Sequence, residues 1–147
     1  MIRAAKNEDV GRLVELGQQL HDTSDYVDIP FNSEKVAALL NRLIEGAGVV
    51  FIAEIDGRIV GGFAGGVTDY WFSDELVGFD YSFFIEPSSR NGITAMKLIA
   101  AFKNWCKAKG ARHLKVGITT GINVERTTEF YLSMGFNNAG TLFSMEL

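Results

Sequence analysis

The chain has 147 residues, the size of one ordinary domain built on one core. Hydrophobic residues make up 47% and charged residues 22%, which excludes a disordered chain, and no apolar run approaches the roughly 18 to 20 residues that span a bilayer. With 14 basic and 18 acidic residues the formal charge is −4, the wrong sign for a general nucleic-acid binder and mildly suited to an amine-bearing partner.

Cys106 is the only cysteine, so an internal disulfide and a cysteine-rich metal site are both excluded, and no metal ligand set is expected. The start, Met1-Ile2-Arg3-Ala4-Ala5-Lys6, lacks the apolar stretch of a signal peptide. A reducing, cytoplasmic setting is the expectation, with neither membrane nor nucleic acid as partner.

In chain order, Ile2 marks a short first strand, and Asn7-Glu8-Asp9 carries the capping and acidic residues of a helix N-terminus. Val10, Leu13, Leu16 and Leu20 recur at helical spacing and predict a helix to about Gln19. His21 to Asn32 is polar and aromatic, broken by Pro30, and reads as a loop. Ser33-Glu34-Lys35-Val36 resembles a second cap. Val36, Leu39, Leu40, Leu43 and Ile44 form the apolar face of a second helix that stops at Gly46 and Gly48.

The period then changes. Val49 to Ile55 is an apolar strand, Asp56-Gly57 a two-residue hairpin signal, and Arg58 to Tyr70 the returning strand. The glycines and alanine of Gly61-Gly62-Phe63-Ala64-Gly65-Gly66 imply close packing or a bulge there. A third long strand runs from Val77 to Glu86 and is ended by Pro87. Ser88 to Gly92 is a loop opening into a helix whose apolar stripe is Ala95, Leu98, Ile99, Phe102, Trp105 and Cys106, which places Cys106 in the core. Leu114, Val116 and Ile118 alternate as a strand. Asn123 caps a last helix through Met134, closed by Gly135, and a final hairpin from Phe136 to Leu147 turns near Asn138 and Gly140.

The expected order is β-α-α-β-β-β-α-β-α-β-β over a single domain, 1–147. That is an α/β fold with a mixed central sheet flanked by helices. Its strand–loop–helix–strand section must be a parallel βαβ unit, with a crevice at the C-terminal ends of the strands. Pro87 to Gly92 sits where a helix N-terminus offers free N–H groups and partial positive charge, a setting suited to phosphate. Gly92 allows close approach and Arg90 adds a cation. Such residues also serve plain turn and capping needs, so spacing alone leaves the ligand open.

The stretch Phe83 to Ala95 resembles the acetyl-CoA signature of the GNAT acetyltransferase superfamily, an apolar strand ending in Val-x-Pro followed by Arg/Gln-x-x-Gly-x-Gly/Ala and a helix. The resemblance implies that backbone groups of Phe83 and Ile85 meet the pantetheine arm of acetyl-CoA, and that Arg90, Asn91, Gly92, Ile93, Thr94 and Ala95 wrap its pyrophosphate. With Arg90 as the signature arginine, Ile93 stands where Gly is usual and Ala95 falls at the Gly/Ala place. Sliding by one residue seats Gly92 at the Gly place but leaves Ser89 for Arg and Thr94 for Gly/Ala. The first register keeps Leu98 and Ile99 at apolar helix positions. A loop altered in this way resembles that of some phage proteins of the superfamily.

About thirty residues on, Asn123 to Phe136 resembles the second signature, Asn-x-x-Ala-x-x-apolar-Tyr-x-x-x-Gly-Phe, with Arg126 in place of the small residue. Two ordered signatures are more specific than either alone. By resemblance, Tyr131 protonates the departing thiolate, a role a phenol within reach can fill; packing beside Phe130 and Met134 is its plain alternative. Asn123 serves as cap, cofactor contact or both. Arg126 reaches a CoA phosphate or faces solvent.

For a base, strict alternation puts Asp80 and Glu86 on the face opposite Phe79, Tyr81, Phe83 and Ile85. A mid-strand carboxylate is costly unless it meets a cleft, which makes Asp80 the candidate and leaves Glu86 at the strand end in solvent. The loop His21 to Asp28 corresponds by position to the family's substrate-side loop. Its three carboxylates suit a cationic amine or are simply solvated. The implied activity is transfer of acetyl from acetyl-CoA to a primary amine of a small molecule or protein by direct attack. The alternative is a module that kept the fold, binds CoA or a protein partner, and lost the chemistry. Folds of this kind often form homodimers through their long helices and C-terminal hairpin.

Overall fold

In the computed structural model, which describes residues 1–147, the chain opens with a short strand, β1 (Ile2–Ala4), a 3-10 turn over Asn7–Asp9, and helix α1 (Val10–Asp22). Asp9 rather than Asn7 secures this start. Its Oδ2 accepts from the Lys6 amide at 2.8 Å, and its carboxylate takes two bonds from Arg3 at 2.8 and 3.0 Å. Helix α2 (Ser33–Arg42) is capped by Asn32, whose Oδ1 accepts from the Lys35 amide at 3.0 Å, and it widens into a turn over Leu43–Ala47, where Gly46, with φ 122°, leaves the helical conformation.

Strands β2 (Val49–Ile55), β3 (Arg58–Tyr70) and β4 (Ser73–Ile85) form an antiparallel meander. Asp56 and Gly57, with φ of 50° and 76°, make the tight hairpin expected of that pair. Helix α3 (Gly92–Ala108) then crosses to β5 (His113–Lys115), which lies parallel to β4 and completes the βαβ unit. Helix α4 (Val124–Ser133) follows. The sheet order is β1-β2-β3-β4-β5, and no helix is long and apolar enough to cross a membrane.

Helices cover both faces, each with its own core. On one side Leu13, Leu16, Leu40 and Leu43 of the first two helices and the turn after them pack on Val50, Ile52 and Phe84. On the other, Leu98, Ile99, Phe102 and Cys106 of α3 pack on Val60, Phe63 and Ile85. Phe102 lies 4.3 Å, ring to ring, from Phe63. The glycines of the sheet permit this approach. A Cβ on Gly65 would stand 2.7 Å from the Phe102 ring, and one on Gly78 2.5 Å from Cys106 Sγ.

The architecture and the order through α4 match the expectation from sequence; two details do not. The fifth expected strand, through Ile118, pairs only over His113–Lys115, because β4 enters its bulge, between Asp80 and Ser82, just past its last partner, Phe79. The expected closing hairpin is also missing. The Gly140 amide does bond Asn138 Oδ1 at 3.2 Å, as a turn there requires, but residues 136–147 form no ladder. With only three residues of β5 to pair on, the segment runs free of the sheet and leaves Leu142, Phe143, Met145 and Leu147 exposed.

Candidate functional site

The bulge in β4 organises the site. Ala64 pairs with Ser82 and Gly65 with Asp80, so Tyr81 is the extra residue between two registers. Directly paired residues point to the same face, so the bulge reverses the strand's sidedness. Asp80, paired with Gly65, faces the α3 side, as do Phe83 and Ile85 beyond the bulge, while Ser82 and Phe84 face α1 and α2. Strict alternation, which put Asp80 opposite Phe83 and Ile85, is therefore overturned. The β5-facing edge of β4 carries no ladder from Asp80 onward, and the diverging segment 116–123 leaves a cleft beside it.

The cleft encloses about 510 Å³. At one end, Pro87–Ser89 makes a 3-10 turn into α3. Asn91 caps that helix, its Oδ1 accepting from the Thr94 amide at 2.8 Å, while the Gly92 and Ile93 amides in the first turn have no acceptor within the chain. Arg90 donates from Nε to the Ile85 carbonyl at 2.8 Å and lies over the Phe84 ring at 5.6 Å. Burial first, and the positive charge of Arg126 second, hold its guanidinium below the ordinary value. The ion pairs of the chain lie elsewhere, so these two cations face each other without a carboxylate. Free helix amides beside two uncompensated arginines are a donor set for an anion of the pyrophosphate kind, and the residues fit that group.

Asp80 and Tyr131 of α4 both line the cleft, near enough for the carboxylate charge to act on the phenol. Burial raises the Asp80 carboxyl above its ordinary value, against a smaller opposing pull from the amides of Asp80 and Gly117. Burial, and then the charge of Asp80, push the Tyr131 phenol upward, so it stays protonated through the neutral range. Tyr131 also packs on Phe130 and Phe136, at 5.7 and 5.4 Å between ring centres. A protonated phenol and a carboxylate in one cleft supply a proton donor and a proton acceptor.

Of the residues expected here, Asp80, Phe83, Ile85, Arg90, Asn91, Gly92, Ala95, Asn123, Arg126 and Tyr131 line one cleft. Ile93 and Thr94 do not line it. Ile93 is 61% exposed and the Thr94 amide is occupied by Asn91. The Ile85 carbonyl is likewise engaged by Arg90. Asn123 makes no side-chain cap. It holds a left-handed conformation, φ 46°, in which its side chain is released from that duty. Glu86 is buried rather than solvated, because Arg12 and Arg58 each donate to its Oε2 at 3.0 Å, while Oε1 has no partner.

The opposite half of the cleft includes part of the loop that its position had marked as substrate-side. It is built from the end of α1, the following loop and α2, including Leu20, His21, Tyr26, Phe31 and Leu39. The loop is tied across the mouth by the Asp25 amide, which bonds the Thr120 carbonyl at 2.7 Å. Helical spacing had marked the leucines as core, and nothing local told which of them meet a cleft.

The model of the acetyltransferase (GNAT) family matches residues 15–136. No curated protein matches the chain. Among solved structures, AAC(6')-Iy in complex with the bisubstrate analog CoA-S-monomethyl-acetylneamine superposes with a TM-score of 0.80 at 21% identity, covering 100% of this chain and 97% of that one. An aminoglycoside acetyltransferase from an uncultured soil metagenomic sample, meta-AAC0020 in complex with sisomicin, gives 0.74 at 22%, covering 100% and 95%. A putative acetyltransferase from Agrobacterium tumefaciens gives 0.77 at 18%, covering 100% and 99%. At these identities the likeness is one of fold.

Proposed function

The chain belongs to the acetyltransferase (GNAT) family, and from that premise we propose that it transfers acetyl from acetyl-CoA to a primary amine by direct attack, in the cytoplasm. The observation that carries this reading is the placement of Asp80 and Tyr131 in the same cleft as Arg90, Arg126 and the free amides of α3. The anion-holding end takes the pyrophosphate, and the unpaired edge of β4 lies along the path of the pantetheine arm.

Bound acetyl-CoA supplies an electrophilic thioester carbonyl and a thiol leaving group. Asp80 takes the proton of the incoming ammonium, leaving a neutral nitrogen able to attack. Tyr131 gives its phenolic proton to the departing sulfur as the C–N bond forms and the C–S bond breaks. It is reprotonated by the proton the nitrogen sheds on becoming an amide. No residue is acylated, so the chain's part is positioning and proton transfer.

Calorimetric titration with acetyl-CoA, followed by CoA-thiol release with a panel of amines, tests the reading. Micromolar binding with amine-dependent thiol release is expected. No binding by well-folded protein would overturn it and leave a protein-interaction module on this scaffold.

A further inference from the structure

The half of the cleft remote from Arg90 has a chemistry of its own. Its wall is made by Leu20, Phe31, Val36, Leu39 and Leu40, projected from α1, α2 and the loop between them. Gly17 contributes no side chain there, and a Cβ at that position would lie 3.6 Å from the Phe31 ring. Below it opens a smaller crevice of about 80 Å³, which shares Gly17, Val36, Leu40 and Phe84 with the cleft and continues between Leu13, Leu16 and Val50. The cleft therefore leads from the proton-moving pair into apolar space between the first two helices and the sheet.

Charge on that side is scarce. Asp80 is the one carboxylate lining the cleft. None of the acidic residues of the loop lines the cleft: Asp22 accepts from Gln18 at 2.8 Å and lies 3.7 Å from His21 Nδ1, the Asp25 carboxylate lies against Gly121, and Asp28 does not reach the lining. An acceptor with several ammonium groups would bury charges without partners, whereas an apolar body would leave water for a surface that matches it. His21 adds one polar feature. Its Nε2 is held by the Ile29 carbonyl at 2.5 Å, and its buried Nδ1, which makes no hydrogen bond, lies 3.7 Å from Asp22 Oδ1.

Resting on the acyltransfer reading above, we infer that the acceptor is a small monoamine on an apolar body, aryl or branched alkyl, seated between α1 and α2 with its single ammonium at Asp80. Acetyl-CoA binding is first measured by calorimetry, and CoA release is then followed with 2-phenylethylamine and isoamylamine against ethanolamine, spermidine, kanamycin and a lysine-bearing peptide. The apolar monoamines are expected to exceed ethanolamine by about 10- to 200-fold in kcat/KM, the range a hydrophobic pocket supplies. Leu39→Gln, at a half-buried position, and Gly17→Leu, which fills the crevice, are each expected to erase most of that preference while leaving acetyl-CoA affinity within about twofold; two variants guard against one failing to fold.

Preference for spermidine, kanamycin or the peptide, or equal rates with all amines, in protein that binds acetyl-CoA would overturn the inference and leave the acyltransfer reading standing. Acetyl-CoA binding with no amine consumed would overturn that reading and the inference together.

Discussion

Replacing Arg90 with alanine probes the anion-holding end of the cleft through a side chain whose present partners are few and known. The guanidinium is held by one bond to the Ile85 carbonyl and by the Phe84 ring, and it faces Arg126 with no carboxylate between them. A bond to a charged group contributes about 1.5–3 kcal/mol, and each 1.4 kcal/mol is tenfold in affinity, so a phosphate contact here amounts to about 10- to 150-fold in Kd. Arg90 is half-buried and belongs in the upper part of that range. Arg126 is exposed, so its contribution is screened to about 0.2–1 kcal/mol, or about 1.5- to 5-fold. Calorimetry of both single variants and the double variant with acetyl-CoA reads these values, and the same titrations with S-acetylpantetheine, which lacks the pyrophosphate, should show almost none of the Arg90 effect. Loss of the Ile85 bond, itself made by a charged group, costs about 1.5–3 kcal/mol of stability, less than the about 5–15 kcal/mol that holds an ordinary domain, so the variant still folds. An Arg90→Ala protein that is folded and binds acetyl-CoA within about twofold of the parent would refute this placement of the phosphates.

Tyr131→Phe should lower kcat by about 100-fold or more with KM for acetyl-CoA little changed. In the parent, burial raises the Asp80 carboxyl, so the acid limb of kcat/KM should fall above the ordinary carboxylate range near 4, and Asp80→Asn should abolish that limb. The bonds from Arg3 are the main reason the Asp9 carboxyl lies below its ordinary value, and a depressed carboxylate stabilises the fold above its unfolded value and loses that contribution as pH falls. Asp9→Asn should therefore destabilise by about 1.5–3 kcal/mol at pH 7 in denaturant melts, and the gap should shrink as the pH drops below about 4. Cys106 is 2% exposed and its thiol is pushed up by burial to about 11, so it should resist thiol reagents in the native protein and react on unfolding.

The sequence carried the fold well where one element speaks for itself. The hairpin at Asp56-Gly57, the apolar stripe from Leu98 to Cys106 and the loop into α3 are each set by neighbours within a few positions. Failures came where distant parts of the chain decide. The bulge at Tyr81 exists because β3 and β4 pair in two registers, and alternation along β4 alone cannot show it. Glu86 is buried because Arg12 and Arg58 converge on it from two other elements. The last residues have a hairpin's turn chemistry but no long sheet edge to join. The half of the candidate site around Arg90 was legible because it is a contiguous loop and helix start. Of the other half, the loop from His21 was marked by its position, but the leucines that line it use the same spacing as a core and did not stand out.

The bulge also has a consequence for how such a protein can change. One side of the sheet, with α1 and α2, shapes one half of the cleft, while the other, with α3 and α4, surrounds the loop into α3 and Tyr131. The two clusters share no side chain, and substitutions without shared partners add with little coupling. A lineage could thus redraw the α1–α2 layer while inheriting the α3–α4 layer intact. Tyr81 is where that independence ends, since deleting this one residue would force both layers to be rewritten at once.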